Sequence, residues 1–95
     1  MQLSSNISLK KKKQLLKIIG SIIKKHRLET NKGILLHSYE YDIPSSSLNL
    51  IERGIRDVQI TTLWKISNSF GLTFGEFINE IEEQLPPGFT MINDK

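Results

Sequence analysis

The sequence predicts an all-α fold, a compact bundle of five helices in one small domain. Three observations predict it. Apolar residues recur at three- and four-residue spacing along most of the chain. Glycine, proline and a threonine–glutamate pair mark helix ends at short intervals. The segments between those marks are joined by only a few residues, as in a bundle. The chain has 95 residues, 38% of them apolar, enough for one such core.

Met1 to about Ser8 is polar and without period, and Lys10, Lys11, Lys12 and Lys13 follow. Cations in a first helical turn oppose the macrodipole. Residues 1–12 are therefore expected to be a flexible basic segment, with helical period starting at Lys13. From there Leu15, Leu16, Ile19, Ile22, Ile23 and His26 form one apolar stripe, and Lys17, Ser21 and Lys24 face away. Thr30-Asn31-Lys32-Gly33 reads as a turn. The second helix spans Ile34 to Tyr41, and its phase is poor because Ile34, Leu35 and Leu36 are consecutive. Asp42-Ile43-Pro44 breaks that helix, and the proline suits an early position of the next. The third helix runs over about 45–53, and Gly54 ends it. At ~100° per residue, Leu48, Ile51 and Ile55 fall on one side. Ser46, Asn49, Leu50 and Arg53 fall on the other, with Ser45 at the amino end.

Ile55 to Gln59 is a loop. The fourth helix runs from about Ile60 to Phe70, with Ile60, Leu63, Trp64, Ile66 and Phe70 apolar and Gly71 closing it. Thr73-Phe74-Gly75-Glu76 is a capping box that starts the fifth, with Leu72 and Phe77 as the staple around it. Phe74, Phe77, Ile78, Ile81 and Leu85 give its apolar face. Pro86-Pro87-Gly88 ends it, so the folded domain covers 13–85 and a tail covers 86–95. Phe89, Met91 and Ile92 gain nothing free in water. They are expected to pack on their own domain or across a two-fold interface.

The chain has no cysteine, so neither disulfides nor cysteine-ligated zinc hold it. That fits a reducing compartment, and a cytoplasmic location is expected. No apolar run approaches the ~20 residues of a membrane span, and no signal peptide is visible. The net charge of +3 is small but unevenly spread. Lys10 to Lys13, Lys17, Lys24, Lys25 and Arg27 crowd one segment; Glu76, Glu80, Glu82 and Glu83 crowd another. The asymmetry suggests a polyanion partner on one side of the molecule. A solvated lysine-rich tail would show the same run with no partner.

No nucleophile triad, phosphate loop or paired-carboxylate arrangement stands out, and Ser45–Ser47 lack a base, so no enzyme is expected. His26 and His37 without further ligands do not make a metal site. Packed, hydrogen-bonded imidazoles are expected, with pH-sensitive stability as the functional alternative. No cofactor is implied. Trp64 and Tyr39 lack the repeated spacing of a stacking platform for single strands and are expected to pack.

Residues 42–54 read as a tight turn, a short helix with a small polar outer face, and a glycine stop. A DNA-reading helix needs that layout; a solvated helix of a small bundle is compatible with it too. The run Ile19-Gly20-x-x-Ile23-x-x-x-Arg27, then Ile43, Ile51-Glu52-Arg53-Gly54, Leu63-x-x-Ile66 and Phe70-Gly71-Leu72-Thr73 resembles the phage-repressor type of helix-turn-helix domain. This is the Cro and repressor group, or XRE family. The resemblance covers about Ile19 to Ile81. It implies a repressor-like DNA-binding fold, double-stranded DNA binding as a two-fold dimer, and transcriptional control.

The resemblance also implies roles for residues. Ser45, Ser46, Asn49 and Leu50 take the base-reading positions of a helix lying in the major groove. Serine hydroxyls donate or accept, and Asn49 can pair with adenine at two points. Leu50 departs from the polar residue usually found there; it either touches a thymine methyl group or packs. Backbone amides at the starts of the second and third helices would face phosphates, with Thr30, Asn31, Lys32 and Ser47 beside them. Ile34 stands where the family often has a phosphate-contacting glutamine. Arg53 and Arg56 either clamp the DNA backbone or are free surface arginines. Arg27 and Glu52 would form a buried salt bridge that joins the first helix to the third and orients it.

Three functional readings follow. The first is a small dimeric transcriptional regulator on a palindromic operator. The second is an antitoxin of the same fold, which binds DNA and also masks a toxin protein. The third is a helix-turn-helix fold used only for protein contacts, favoured by the apolar Ile34, Leu35 and Leu50 near the supposed groove.

Overall fold

A computed structural model describes the backbone of residues 2–92 and the side chains from Leu9 to Ile92. Among these residues the regular structure is all helical, in five elements: α1 (Gln2–Glu29), α2 (Ile34–Tyr41), α3 (Ser45–Glu52), α4 (Ile60–Ser69) and α5 (Phe74–Gln84). α1 packs on α3 and α5, α2 on α3 and α4, and α4 on α5. The core gathers Ile19, Ile22 and Ile23 of α1 with Ile43, Leu48, Ile51, Leu63, Ile66, Phe77 and Ile81. No described helix is long and apolar enough to cross a membrane.

α1 starts at Gln2, not at Lys13. The expected loose segment is therefore helical; Met1 itself lies outside the described residues. Lys10–Lys13 sit inside a helix of 28 residues, so the argument from first-turn charge does not apply to them. Lysine, leucine and glutamine are also good helix formers. At 1.5 Å per residue α1 is roughly 42 Å long, which accounts for the 44 Å long axis of the molecule.

Two glycines bring α1 against α3. A Cβ at Gly20 would meet the carbonyl oxygens of Ile51 (2.5 Å) and Glu52 and the carbonyl carbon of Glu52 (2.8 Å). Gly54 takes φ +73°, and a Cβ there would lie 2.9 Å from the Lys17 Cα. The last turn of α3 thus lies backbone to backbone on α1. Between α2 and α3, Asp42 turns the chain in the left-handed region at φ 55°. Pro44 follows as the residue preceding α3, at φ −56°.

Several apolar side chains are more exposed than their spacing predicts. The left-handed turn at Gly54 takes Ile55 out of the helical phase of Leu48 and Ile51, leaving it 59% exposed. Ile60, in the first turn of α4, is exposed, and so is Trp64, whose ring lies flat on Phe74 at 4.4 Å between centroids. Tyr39 is 85% exposed and does not pack as expected. α5 starts as predicted: the Glu76 amide donates to Thr73 Oγ1 (3.0 Å), and the Thr73 amide donates to Glu76 Oε1 (2.8 Å). In the tail Phe89 is half-buried, but Met91 and Ile92 are exposed, so the monomer does not bury them. The Ile92 carbonyl accepts from Lys11 Nζ at 2.6 Å, which ties the tail to α1. Residues 93–95 of the tail lie outside the described residues.

Candidate nucleic-acid interface

α3 is fixed from its inner side. Leu48 and Ile51 enter the core, and Glu52 is buried beside Arg27. The Arg27 Nε donates to Glu52 Oε2 (2.6 Å) and its Nη2 donates to Oε1 (2.9 Å), a two-point fork. The remaining arm, Nη1, donates to the Lys32 carbonyl at 2.8 Å. One guanidinium therefore ties α1 to α3 and to the turn that leads into α2. The hydrogen bond to Glu52 raises the arginine pKa further, against the desolvation that lowers it.

With the inner edge held, Ser46, Asn49 and Arg53 point to solvent, and Ser45, Ser47 and Leu50 are half-buried. Ser45, Ser46, Asn49 and Leu50 share one shallow open groove with Ile34 and Leu35 of α2, of about 500 Å³. The other expected contacts lie elsewhere. Arg56 Nη1 donates to Ser47 Oγ (3.2 Å) in a recess shared with Gln59 and Thr62 at the start of α4. Arg53 makes a long contact to Asn49 Oδ1 (3.5 Å) and otherwise faces α1. Lys32 is engaged by Glu40, whose carboxylate raises its pKa, and its Nζ lies 5.5 Å from the Tyr41 ring centroid. The structure thus brings four of the expected residues into one groove and distributes Lys32, Ser47, Arg53 and Arg56 around it.

The helix starts differ in kind. α2, α3 and α4 begin after Gly33, Pro44 and Gln59 with no side-chain cap and no acidic residue in the first turn. Among these four helix starts, α5 alone carries a full capping box and a first-turn glutamate. Uncapped first turns leave amide donors and the positive dipole end open to an anion.

The histidines are packed and hydrogen-bonded, as expected. His26 Nε2 pairs with Glu80 Oε1 (2.8 Å), and His37 Nε2 pairs with Ser69 Oγ (2.9 Å). Both rings stack on Phe70, at 5.2 and 5.1 Å between centroids. Burial lowers the His37 pKa, and the nearby charges of Lys32 and Arg27 add to the shift. Among the described residues no cluster of side chains is suited to hold a metal ion.

Sequence reasoning missed the breadth of the apolar surface on α2. Leu35 is 75% exposed, with Leu36 and Tyr39 beside it in the same helix. The signal was the run Ile34-Leu35-Leu36, since no single helix face buries three consecutive residues. The close crossing at Gly20 was also missed, though a glycine inside an apolar stripe is the usual mark of one. No family model, no curated protein and no solved structure matches the chain.

Proposed function

We propose that this protein binds double-stranded DNA sequence-specifically, as a small dimeric transcriptional regulator with α3 in the major groove. One observation carries the reading: α3 presents Ser46 and Asn49 outward while the Arg27–Glu52 fork holds its inner edge to the bundle. A reading helix needs that combination, because base-edge hydrogen bonds discriminate only when the donors are held in register. The uncapped starts of α2, α3 and α4 support it, since phosphates are natural partners for free first-turn amides. Arg56 and Ser47, beside the start of α4, would contact the DNA backbone. Asn49, Ser45, Ser46 and Leu50 would meet base edges, with Leu50 against a thymine methyl group.

A second reading has its own observation. Leu35 and Tyr39 expose apolar surface next to the α3 groove, which fits a protein partner. An antitoxin that binds both DNA and a toxin protein would use both surfaces. Salt titration of duplex binding separates DNA binding from a purely protein-binding role. Counterion release predicts a linear fall of log affinity with log salt, with a slope of about −0.9 for each phosphate neutralised on B-DNA. Absence of duplex binding at low salt would leave the protein-contact reading.

A further inference from the structure

We propose that the groove between the amino-terminal half of α1 and the turn after α3 docks an acidic amphipathic helix of a partner protein. The proposal does not depend on the DNA-binding reading. The groove has a volume of about 460 Å³; Leu9, Leu16 and Ile55 line it, and Lys13, Lys17 and Arg53 stand around them. Leu9 and Ile55 are exposed. Among the described residues the α1 stripe that enters the core begins at Leu15 and Leu16, and residues 9–14 before it are exposed or half-buried. Leu9, Lys12 and Lys13 of that stretch instead form one wall of this groove, fixed at its side by the Lys11 bond to the Ile92 carbonyl.

The chemistry of the groove selects its occupant. A phosphate backbone would use the cations but would leave the leucines and isoleucine in water. An apolar helix without charge would use the floor but not the rim. Among the described residues the one ion pair on the rim joins Lys12 to Asp57 (3.4 Å), and Lys13, Lys17 and Arg53 make none. A helix with apolar anchors at i, i+3 or i+4, and i+7, flanked by Asp and Glu, satisfies both surfaces. The anchors leave water, and the flanking carboxylates fix register and orientation.

The test is display selection of random peptides of about four helical turns against the full chain, followed by titration of the recovered peptides. The expected peptides are amphipathic and acidic. Their affinity should fall about tenfold or more for the double variant Leu9→Ser/Ile55→Ser and for Lys13→Glu/Lys17→Glu. Replacing the peptide glutamates by lysine should restore binding to the charge-reversed variant. All four positions are on the surface or at its edge, and melting curves would verify that the variants fold. Several results would overturn the proposal. One is a selection that enriches no acidic amphipathic peptide; another is recovered peptides that bind both variants as they bind the native chain. Loss of duplex affinity on Lys13→Glu/Lys17→Glu, with no effect of Leu9→Ser/Ile55→Ser on any ligand, would assign the rim to phosphate. Self-association abolished by Ile55→Ser would assign the groove to a second copy of the chain.

Discussion

Under the DNA-binding proposal, Asn49 and Arg56 would make two kinds of contact, one to a base and one to the backbone. Asn49 points outward from the middle of α3, where an amide side chain can make a two-point contact to one base. Asn49→Ala should cost ~1–3 kcal/mol and relax preference at a single base position. Arg56 lies with Ser47 outside the α3 groove. Arg56→Ala should weaken all duplexes alike and reduce the salt slope. Parallel titrations on a specific and a scrambled duplex would separate the two, and unchanged base preference in the Asn49 variant would refute direct readout. Lys32, engaged by Glu40, should matter less to affinity than Arg56. His37 makes a different prediction. Its folded pKa lies below the ordinary 6.5 because the ring is buried near Lys32 and Arg27. Above that pH both folded and unfolded rings are neutral, and the group adds no pH dependence. Below it the unfolded chain takes up a proton that the buried ring resists, so stability falls as the pH drops through this range. Melting of His37→Gln should depend less on pH below about 6.5; equal slopes in the two proteins would remove His37 as the cause.

The elements differ in how far their sequences disclosed them. α2 to α5 were legible because their ends are set by residues that act locally: Asp42 and Pro44, Gly54, Gly71, and the Thr73–Glu76 box. The start of α1 was not, because lysines oppose the macrodipole only in a first turn, and Lys10–Lys13 lie inside the helix. The outward face of α3 followed from helical phase, and Ser46, Asn49 and Arg53 are indeed exposed. The rotation of α2 did not follow, since its three-residue apolar run fits several phases. Nor did the engagement of Lys32 by Glu40, which depends on how the turn folds back over α2. Two predictions belong to the α1–α3 contact. Arg27→Met leaves Glu52 buried without its partner and should destabilise by ~3–5 kcal/mol. Replacing both partners by apolar residues should cost less than either single change. A denaturant midpoint near that of the native chain for Arg27→Met would contradict the buried pair. Gly20→Ala sets a methyl group against backbone carbonyls that cannot rotate away. It should cost ~1–3 kcal/mol through overpacking and, under the DNA-binding proposal, also disturb base preference by displacing α3. Native stability and native DNA binding together would show that the two helices separate without consequence.

At the scale of the whole molecule the charges are segregated along the chain: lysines crowd α1, and Glu76, Glu80, Glu82 and Glu83 lie on α5. Under the proposed function the acidic α5 faces away from DNA, where its carboxylates do not repel phosphate. A dimer would present two copies of α3 ~34 Å apart, one turn of duplex. The tail after Leu85 bears on this arrangement, because the monomer leaves Met91 and Ile92 exposed. Deleting residues 86–95 should convert dimer to monomer or lower stability, and weaken binding to a full palindrome more than to a half-site. Unchanged mass in sedimentation, unchanged melting and unchanged palindrome affinity would exclude the tail from the interface. Selection of bound sites from a pool of random duplexes tests the proposal that α3 reads DNA in a two-fold assembly. The expected result is enrichment of a two-fold symmetric motif with half-sites about one helical turn apart, and loss of preference at one base position in each half-site for Asn49→Ala. A selected pool no different from the input would contradict it.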